Sequence, residues 1–410
     1  MTWQKCPILW VQPKHAMSGI KVSVFSQILA LVDRNICNKL VKQHQSDKHS
    51  KGINTWTHMV SMIFMQLSAS TSIRDIANGL MSATGNLSHL GITKAPSKSS
   101  MSYINKHRSY EVFRDIYFEL LESLEPSLAK SRKYARSLKR KIYLLDSTII
   151  PLSLSLFDWA KFRTTKGAVK LHTVLDYDTG LPCYAVLTEA KKHDVNAAKT
   201  IDFPSGSVVV MDRAYVDFIW LNNLDSSRVF FVTRLKKNAK FEVIETFVTN
   251  EKHEHILTDE EIRLTGLFTD VKYPKNLRIV KVYDEQNDQE LILLTNNLSW
   301  TADTISQIYK SRWAIEIFFK HLKQLFHVKS FIGTTENAVQ IQMWCSLIAI
   351  LLLSYIKSKA IYDWHLSNLV SLLRLNLFVK VDLWQWANYP ILKPRKPPDK
   401  QPQRFIFKSE

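Results

Sequence analysis

Three acidic residues, Asp146, Asp212 and Glu316, stand where a carboxylate is out of place. Asp146 closes the apolar run in "IYLLDSTIIPLS", and Asp212 closes the one in "SVVVMDRAYVDF". An acid ending a buried strand is costly unless a cleft solvates it, a hydrogen bond satisfies it or a cation binds it. In open sheets, strand ends are also where ligands collect. Glu316 lies in "QIYKSRWAIEIFFKHLKQ", residues 307–324. Read as one α-helix, this segment puts Tyr309, Arg312, Glu316, Lys320 and Lys323 within about 80° of one another on a single stripe. Taken alone, the stripe equally suits a surface helix with an i,i+4 ion-pair ladder. Gathered together, the three carboxylates form an all-oxygen site that prefers Mg2+, with Mn2+ able to substitute. Two such ions about 3.5–4 Å apart activate a water or a 3′-hydroxyl and stabilise the leaving oxygen of a phosphodiester displacement. In that setting Arg312, Lys320 and Lys323 contact flanking phosphates, and Tyr309 binds a phosphate oxygen or holds Glu316.

Other polar residues near these acids have simpler readings. Asp178 forms a turn with Gly180, and Asp217 starts a helix. Lys170 and His172 alternate outward on a strand as surface residues or DNA contacts. Arg213 and Tyr215, adjacent to the second Asp, are placed on the phosphate side, with core packing as the other reading of Tyr215.

Positioning those groups requires a framework, and the hydrophobic pattern supplies one. Residues 142–235 read as a strand ending in Asp146, a hairpin through Asp178 to Gly180, a short helix at "VNAAKTI", a strand ending in Asp212, a helix and a further strand. Strands at "NLRIVKVY" and "ELILLTNN" fall in a long polar stretch that precedes the Glu316 helix. The most apolar run, Met343–Ile356, is interrupted by Ser and Cys and shorter than a bilayer span, so it reads as a buried core helix. Ahead of all this, residues 22–41, 55–67, the segment from Ser72 to Gly79 and Gly85, and 95–124 carry helical patterning.

Charge is distributed unevenly along the 410 residues, whose net charge is +18. Residues 1–145 hold 21 basic and 8 acidic side chains, and 389–410 hold 6 and 2. The middle of the chain is nearly neutral, so the excess sits at the two ends. A polyanion, most simply nucleic acid, is the usual reason for such an excess. Lys98, Ser99, Ser100, Lys106 and Arg108, on a basic, Ser-rich helix, are the candidates for major-groove docking. Seven cations in "KSRKYARSLKRK", 130–141, form a connector able to touch phosphates. The four cysteines are scattered, without metal-binding or disulfide spacing, and no signal-peptide pattern opens the chain, as for a cytoplasmic protein.

Tyr309-x2-Arg312-x3-Glu316-x6-Lys323 resembles the Tyr-Arg-Glu-Lys pattern of the DDE transposases of insertion-sequence family four. "LLDST" and "MDRAY" resemble that family's two aspartate regions, and the likeness spans roughly residues 50 to 360. The resemblance implies an α/β, ribonuclease H-like mixed sheet with flanking helices and a β-rich insertion between the second Asp and the Glu, preceded by an all-α DNA-binding domain. On that plan, 1–129 is the helical domain, 130–141 the connector, 142–235 the first part of the core and 236–298 the insertion. Residues 299–388 form the second part of the core and 389–410 a basic, Pro-rich tail. It further implies metal-dependent cleavage at the inverted-repeat ends of a bacterial mobile element and joining to target DNA by a homodimer on DNA, in the cytoplasm and at the nucleoid. No membrane and no small-molecule substrate are implied. Some relatives hold a flipped base with a Trp in the insertion; Trp220, Trp300 and Trp313 all lie outside its middle, so that role is not carried over. A nuclease that never joins strands, or a non-catalytic regulator derived from such an enzyme, are the competing functions.

Overall fold

The computed structural model describes residues 21–391 except 51, 84, 129–138, 153–156, 158, 160, 164–165, 192, 237, 249–253, 267, 286 and 326–330. The tail from 392 onward and most of the basic connector lie outside the described residues.

The described residues open with six α-helices: α1 Val24–Leu29, α2 Arg34–Gln43, α3 Thr55–Ser68, α4 Ile73–Ser82, α5 Lys98–His107 and α6 Glu111–Leu128. The pattern over 22–41 is split in two because Asp33 caps a new helix, accepting from the Asn35 N–H at 2.7 Å. Ser72 caps α4 by accepting from the Asp75 N–H, as the spacing predicts. Gly79 does not end α4 but lies inside it, where an added Cβ would meet the Phe64 ring at 2.7 Å. Residues 83–97, including a single 3-10 turn at Ser88–Leu90, separate α4 from α5. No three- or four-residue turn joins these two helices.

The second half is built on one ten-stranded mixed sheet. Its strands are β1 Ile142–Leu152, β2 Lys161–Arg163, β3 Lys166–Asp176, β4 Leu181–Glu189, β5 Val208–Met211, β6 Phe230–Arg234, β7 Phe241–Thr246, β8 Ile256–Leu264, β9 Leu277–Asp284 and β10 Gln289–Thr295. They lie in the order β2-β3-β1-β5-β6-β10-β9-β8-β7, with β4 paired to β3. The three central strands β1, β5 and β6 are mutually parallel. Strands β7 to β10 extend the same sheet antiparallel from the β6 edge, so the polar stretch before Glu316 forms no separate sheet.

Helices cover both faces. α7 Asp194–Ala198, α8 Phe218–Ser226 and α9 Thr269–Lys272 lie with the second core, where Leu145, Val209, Met211, Trp220 and Leu221 meet. The opposite face, carrying Leu144, Val208, Val210 and Val232, packs on α10 Ala302–Lys310, α11 Trp313–Leu325 and α12 Glu336–Lys359. α13 Leu366–Asn376 and α14 Leu383–Asn388 complete this side. α12 is 24 residues long and apolar enough to cross a bilayer by length and composition. Instead α3, α6 and α13 surround it, and Leu347, Ile348, Leu351, Leu352 and Leu353 are fully or almost fully buried. The apolar run at 343–356 is therefore the middle of a longer core helix, and it joins the N-terminal helices to the sheet in one continuous core.

Candidate active site

Two of the three carboxylates are brought to one face of the sheet by strand register. β1 pairs with β5 from Ile142↔Val208 to Leu145↔Met211, in parallel. One residue further along that register stand Asp146 and Asp212, side by side on strands about 5 Å apart. Alternation directs Leu145 and Met211 into the α7/α8 side, so Asp146 and Asp212 face the α10/α11 side. β1 does not stop at Asp146, as its apolar run suggests, but continues to Leu152. What ends there is the pairing with β5; beyond it β1 is held by β3, with Asp146 opposite Thr173.

Glu316 arrives from above on α11. The segment expected as one helix is two, because the ladder shortens around Ser311 and Arg312. Arg312 N–H bonds Tyr309 O at 3.0 Å, Ala314 N–H bonds Ser311 O at 3.0 Å and Ile315 N–H bonds Arg312 O at 3.1 Å, all i to i+3. Ser311 Oγ additionally donates to Ile308 O at 2.6 Å. This break between α10 and α11 destroys the straight five-residue stripe. Tyr309 is buried at 8% exposure, Lys320 is exposed and Lys323 is half-buried.

Arg312 is likewise turned inward and not toward solvent. Its guanidinium donates to Glu316 Oε1 at 2.6 Å and stands 3.9 Å from Asp146 Oδ2, which ties strand and helix together. Burial works against the Arg312 charge, but Tyr309, Glu316 and Asp146 outweigh it and raise its pKa. Asp146 shows the opposite balance. Burial pushes its carboxyl up to about 6, and the Asp212 and Glu316 carboxylates add to the shift. The Ser147 N–H, donating to Asp146 Oδ1 at 2.8 Å, and Arg312 act against it.

Tyr309 and Tyr215 both bring buried hydroxyls to this region without a hydrogen bond of ordinary geometry. Burial raises the Tyr309 pKa, with Asp212 adding to the rise and Arg312 and Arg234 opposing it. Tyr215, at 1% exposure, sits beneath Asp146 and Asp212 in the second core, so it is not on the phosphate side; Arg213 next to it is exposed.

Sequence reasoning missed Arg234. The parallel register Val210↔Val232 between β5 and β6, carried two residues on, sets Arg234 level with Asp212. Asp146, Asp212 and Arg234 thus stand abreast on three adjacent parallel strands. The apolar run "VFFVTR" ending in a charge was the available signal, the same one that marked the aspartates.

Several other expected contacts are structural. Arg108 is 7% exposed and donates to the carbonyls of Ser46, Ile53 and Asn54 and to Asp47, so it holds the α2–α3 loop and offers nothing to DNA. Lys98, Ser99, Ser100 and Lys106 are exposed on α5. Within the connector, Arg140 donates to Gly206 O and stacks on Phe230, while Lys141 pairs with Glu125 and Asp176. Lys170 and His172 are buried at 9% and 1% exposure. Asp178 lies in the β3–β4 turn, but it is Asp176 whose carboxylate accepts the turn's N–H groups. Asp217 caps α8, as expected.

Among the described residues, no three His, Cys, Asp or Glu side chains are gathered closely enough to hold an ion as they stand. Positive charge between Asp146 and Glu316 is supplied by the guanidinium. The donor set is nevertheless all oxygen, and burial, with the Asp212 and Glu316 carboxylates adding to it, raises Asp146. These residues fit a hard divalent cation.

Comparison with known proteins bears on what such a site serves. Residues 137–352 match the family described as Transposase DDE domain, and residues 21–93 match a family described only as a domain of unknown function. A protein of Sinorhizobium fredii named as transposase y4zB is 31% identical over 63% of this chain and 71% of its own length. One of Geobacillus stearothermophilus, named as a transposase for insertion sequence element IS5377, is 26% identical over 63% and 67%. One of Synechocystis, named as a transposase for element IS4SA, is 31% identical over 62% and 70%. The cryo-EM structure of a piggyBac transposase synaptic complex with hairpin DNA aligns over 86% of this chain and 79% of its own, with a TM-score of 0.40 and 10% identity. A likeness of that size carries no functional information.

Proposed function

The chain belongs to the DDE transposase family, and from that premise we propose that Asp146, Asp212 and Glu316 are its three metal-binding catalytic carboxylates. The observation that carries this reading is the register of β1 against β5, which sets two aspartates abreast on one face, together with Arg312 joining Asp146 to Glu316 across the strand–helix gap.

DDE transposases depend on divalent metal. We assign Mg2+, with Mn2+ as a substitute and two ions per site, because two hard cations activate the attacking oxygen and stabilise the leaving one in phosphodiester displacement. This chain's own residues then have distinct tasks. The Asp146 and Asp212 strands supply ligands from a rigid sheet, while Glu316 is presented by a helix whose break at Ser311 and Arg312 sets its approach. Arg312 holds Glu316 in place and would also offer its guanidinium to a DNA phosphate at the site. Arg213, exposed beside Asp212, and Lys320 and Lys323, further along α11, flank the site as phosphate contacts. Tyr309, buried on α10 with the Arg312 guanidinium over its ring, orients Arg312 and through it Glu316.

At the level of the whole chain, we read 142–235 and 299–388 as a ribonuclease H-like core interrupted by 236–298, and 1–129 as the part that holds the element's terminal inverted repeats. A dimer on DNA would bring the two ends together for cut-and-paste joining to target DNA. The cytoplasm, at the nucleoid, is where such DNA is met.

The test uses duplexes carrying the inverted repeats that flank the gene. Asp146→Asn, Asp212→Asn and Glu316→Gln should each abolish Mg2+-dependent nicking while end binding persists in a mobility-shift assay. Full nicking by any of them removes that residue from the set. Joining of the cut ends to a plasmid separates a transposase from a nuclease that only cuts.

A further inference from the structure

On the side of β1 opposite Asp146 lies a second polar group that no step above uses. Ser147, the next residue, points into the α7/α8 side and pairs across the strands with His172. Its hydroxyl donates to Asp194 Oδ1 at 2.6 Å. The same carboxylate oxygen lies 3.2 Å from Lys170 Nζ and 3.6 Å from His172 Nδ1, and His172 Nε2 is 3.0 Å from Thr188 Oγ1. Asp194 is the first residue of α7, and α7 packs against the single 3-10 turn Arg213–Tyr215 that follows Asp212. The Tyr215 hydroxyl lies among Ser147, Asp146, Asp194 and Asp212. One carboxylate is thus linked to both segments that carry the catalytic aspartates.

Lys170 is buried and Asp194 partly exposed, so the pair costs desolvation that apolar packing of the same volume avoids. What it adds here is orientation. The hydroxyl of Ser147 is bound to Asp194, and its N–H is the donor that holds Asp146 Oδ1 at 2.8 Å. Supporting groups of this kind set ligand geometry in metal sites.

We propose that Asp194 is a positioning residue for the metal-binding carboxylates, acting through Ser147 on Asp146 and through α7 on the turn after Asp212. The inference rests on the reading of Asp146 and Asp212 as metal ligands.

The experiment titrates full-length protein with Mn2+ alone and follows the free ion by electron paramagnetic resonance, for wild type, Asp194→Ala, Asp194→Asn, Ser147→Ala and Asp146→Asn. Near-UV circular dichroism establishes that each is folded. Asp194→Ala and Ser147→Ala should bind Mn2+ about tenfold or more weakly. Asp194→Asn, which keeps an acceptor for Ser147 but loses the charge facing Lys170, should fall between them and wild type. The Mn2+ concentration that half-saturates nicking should rise in parallel, with end binding unchanged. Wild-type Mn2+ affinity in folded Asp194→Ala and Ser147→Ala, with binding lost in Asp146→Asn, overturns the inference alone. Should Asp194→Ala not fold, Ser147→Ala decides, since it removes one hydroxyl. Wild-type affinity in Asp146→Asn as well overturns the underlying reading and the inference with it.

Discussion

Arg312 occupies the place where the carboxylates call for a cation, which shapes how the site responds to pH. The Asp146 carboxyl ionises near 6 in the folded chain and at its ordinary lower value when unfolded. Between about pH 4 and 6 the folded state therefore binds more protons, and stability falls as pH rises through that window. Above it the metal-free protein carries the full cost, at most roughly 3 kcal/mol for about two pH units. Asp146→Asn should accordingly raise the melting temperature of metal-free protein at pH 8, with the gain vanishing toward pH 4. A melting temperature at pH 8 that is unchanged or lower in the variant would show that Asp146 is not strained by burial. Arg108 makes a different case. Its guanidinium satisfies three backbone carbonyls and Asp47 with almost no exposure of its own, so Arg108→Ala, which strands those carbonyls, should destabilise by about 1–3 kcal/mol in a chemical denaturation series. Any loss of DNA binding should disappear at temperatures where the variant is folded.

Two elements set where the basic side chains stand. α5 presents Lys98, Ser99, Ser100 and Lys106 to solvent, and the Tyr103 and His107 rings meet at a tilt with centroids 4.4 Å apart on the same helix. If those lysines meet phosphates, Lys98→Ala with Lys106→Ala should weaken binding across all sequences and reduce the slope of log affinity against log salt by about two. An unchanged slope, measured by fluorescence anisotropy from low to moderate salt, would move the DNA elsewhere. The α10–α11 break is the second. Its i to i+3 bonds turn Arg312 inward while leaving Lys320 outside, so cations on one sequence stripe acquire separate roles. Lys320→Ala should leave thermal stability within about 0.5 kcal/mol, as for an exposed side chain. Arg312→Ala should weaken strand transfer more than end binding, and an unchanged joining rate would refute its part in the site.

For the whole molecule, α12 is the connecting feature. α3, α6 and α13 surround it, and Asn337 in its first turn donates to the carbonyls of Asn105 and Arg108 while accepting from the Tyr110 N–H. The helices that would hold DNA are thereby packed onto the layer that carries Glu316. A single calorimetric unfolding transition is expected. Leu351→Ala, at a fully buried position, should lower it as a whole by about 2–5 kcal/mol; two separable transitions would show that the helical and sheet halves fold independently.

Local chemistry made much of this legible in one dimension. Apolar runs interrupted by acids marked Asp146 and Asp212, capping residues such as Ser72 and Asp217 marked helix starts, and a helical period carried Glu316, because each signal lies within a few residues of the group it concerns. Long-range register was not available in that form. That Asp146 and Asp212 stand abreast depends on β1 pairing with β5 across more than sixty residues. That Arg234 joins them, that Arg108 and Tyr215 are buried and that Asp194 reaches Ser147 depends equally on which strands and helices meet. Residue type and spacing thus determined the chemistry on offer. Only the tertiary structure decided which charges face each other, because burial and pairing between distant segments are properties of the packed chain.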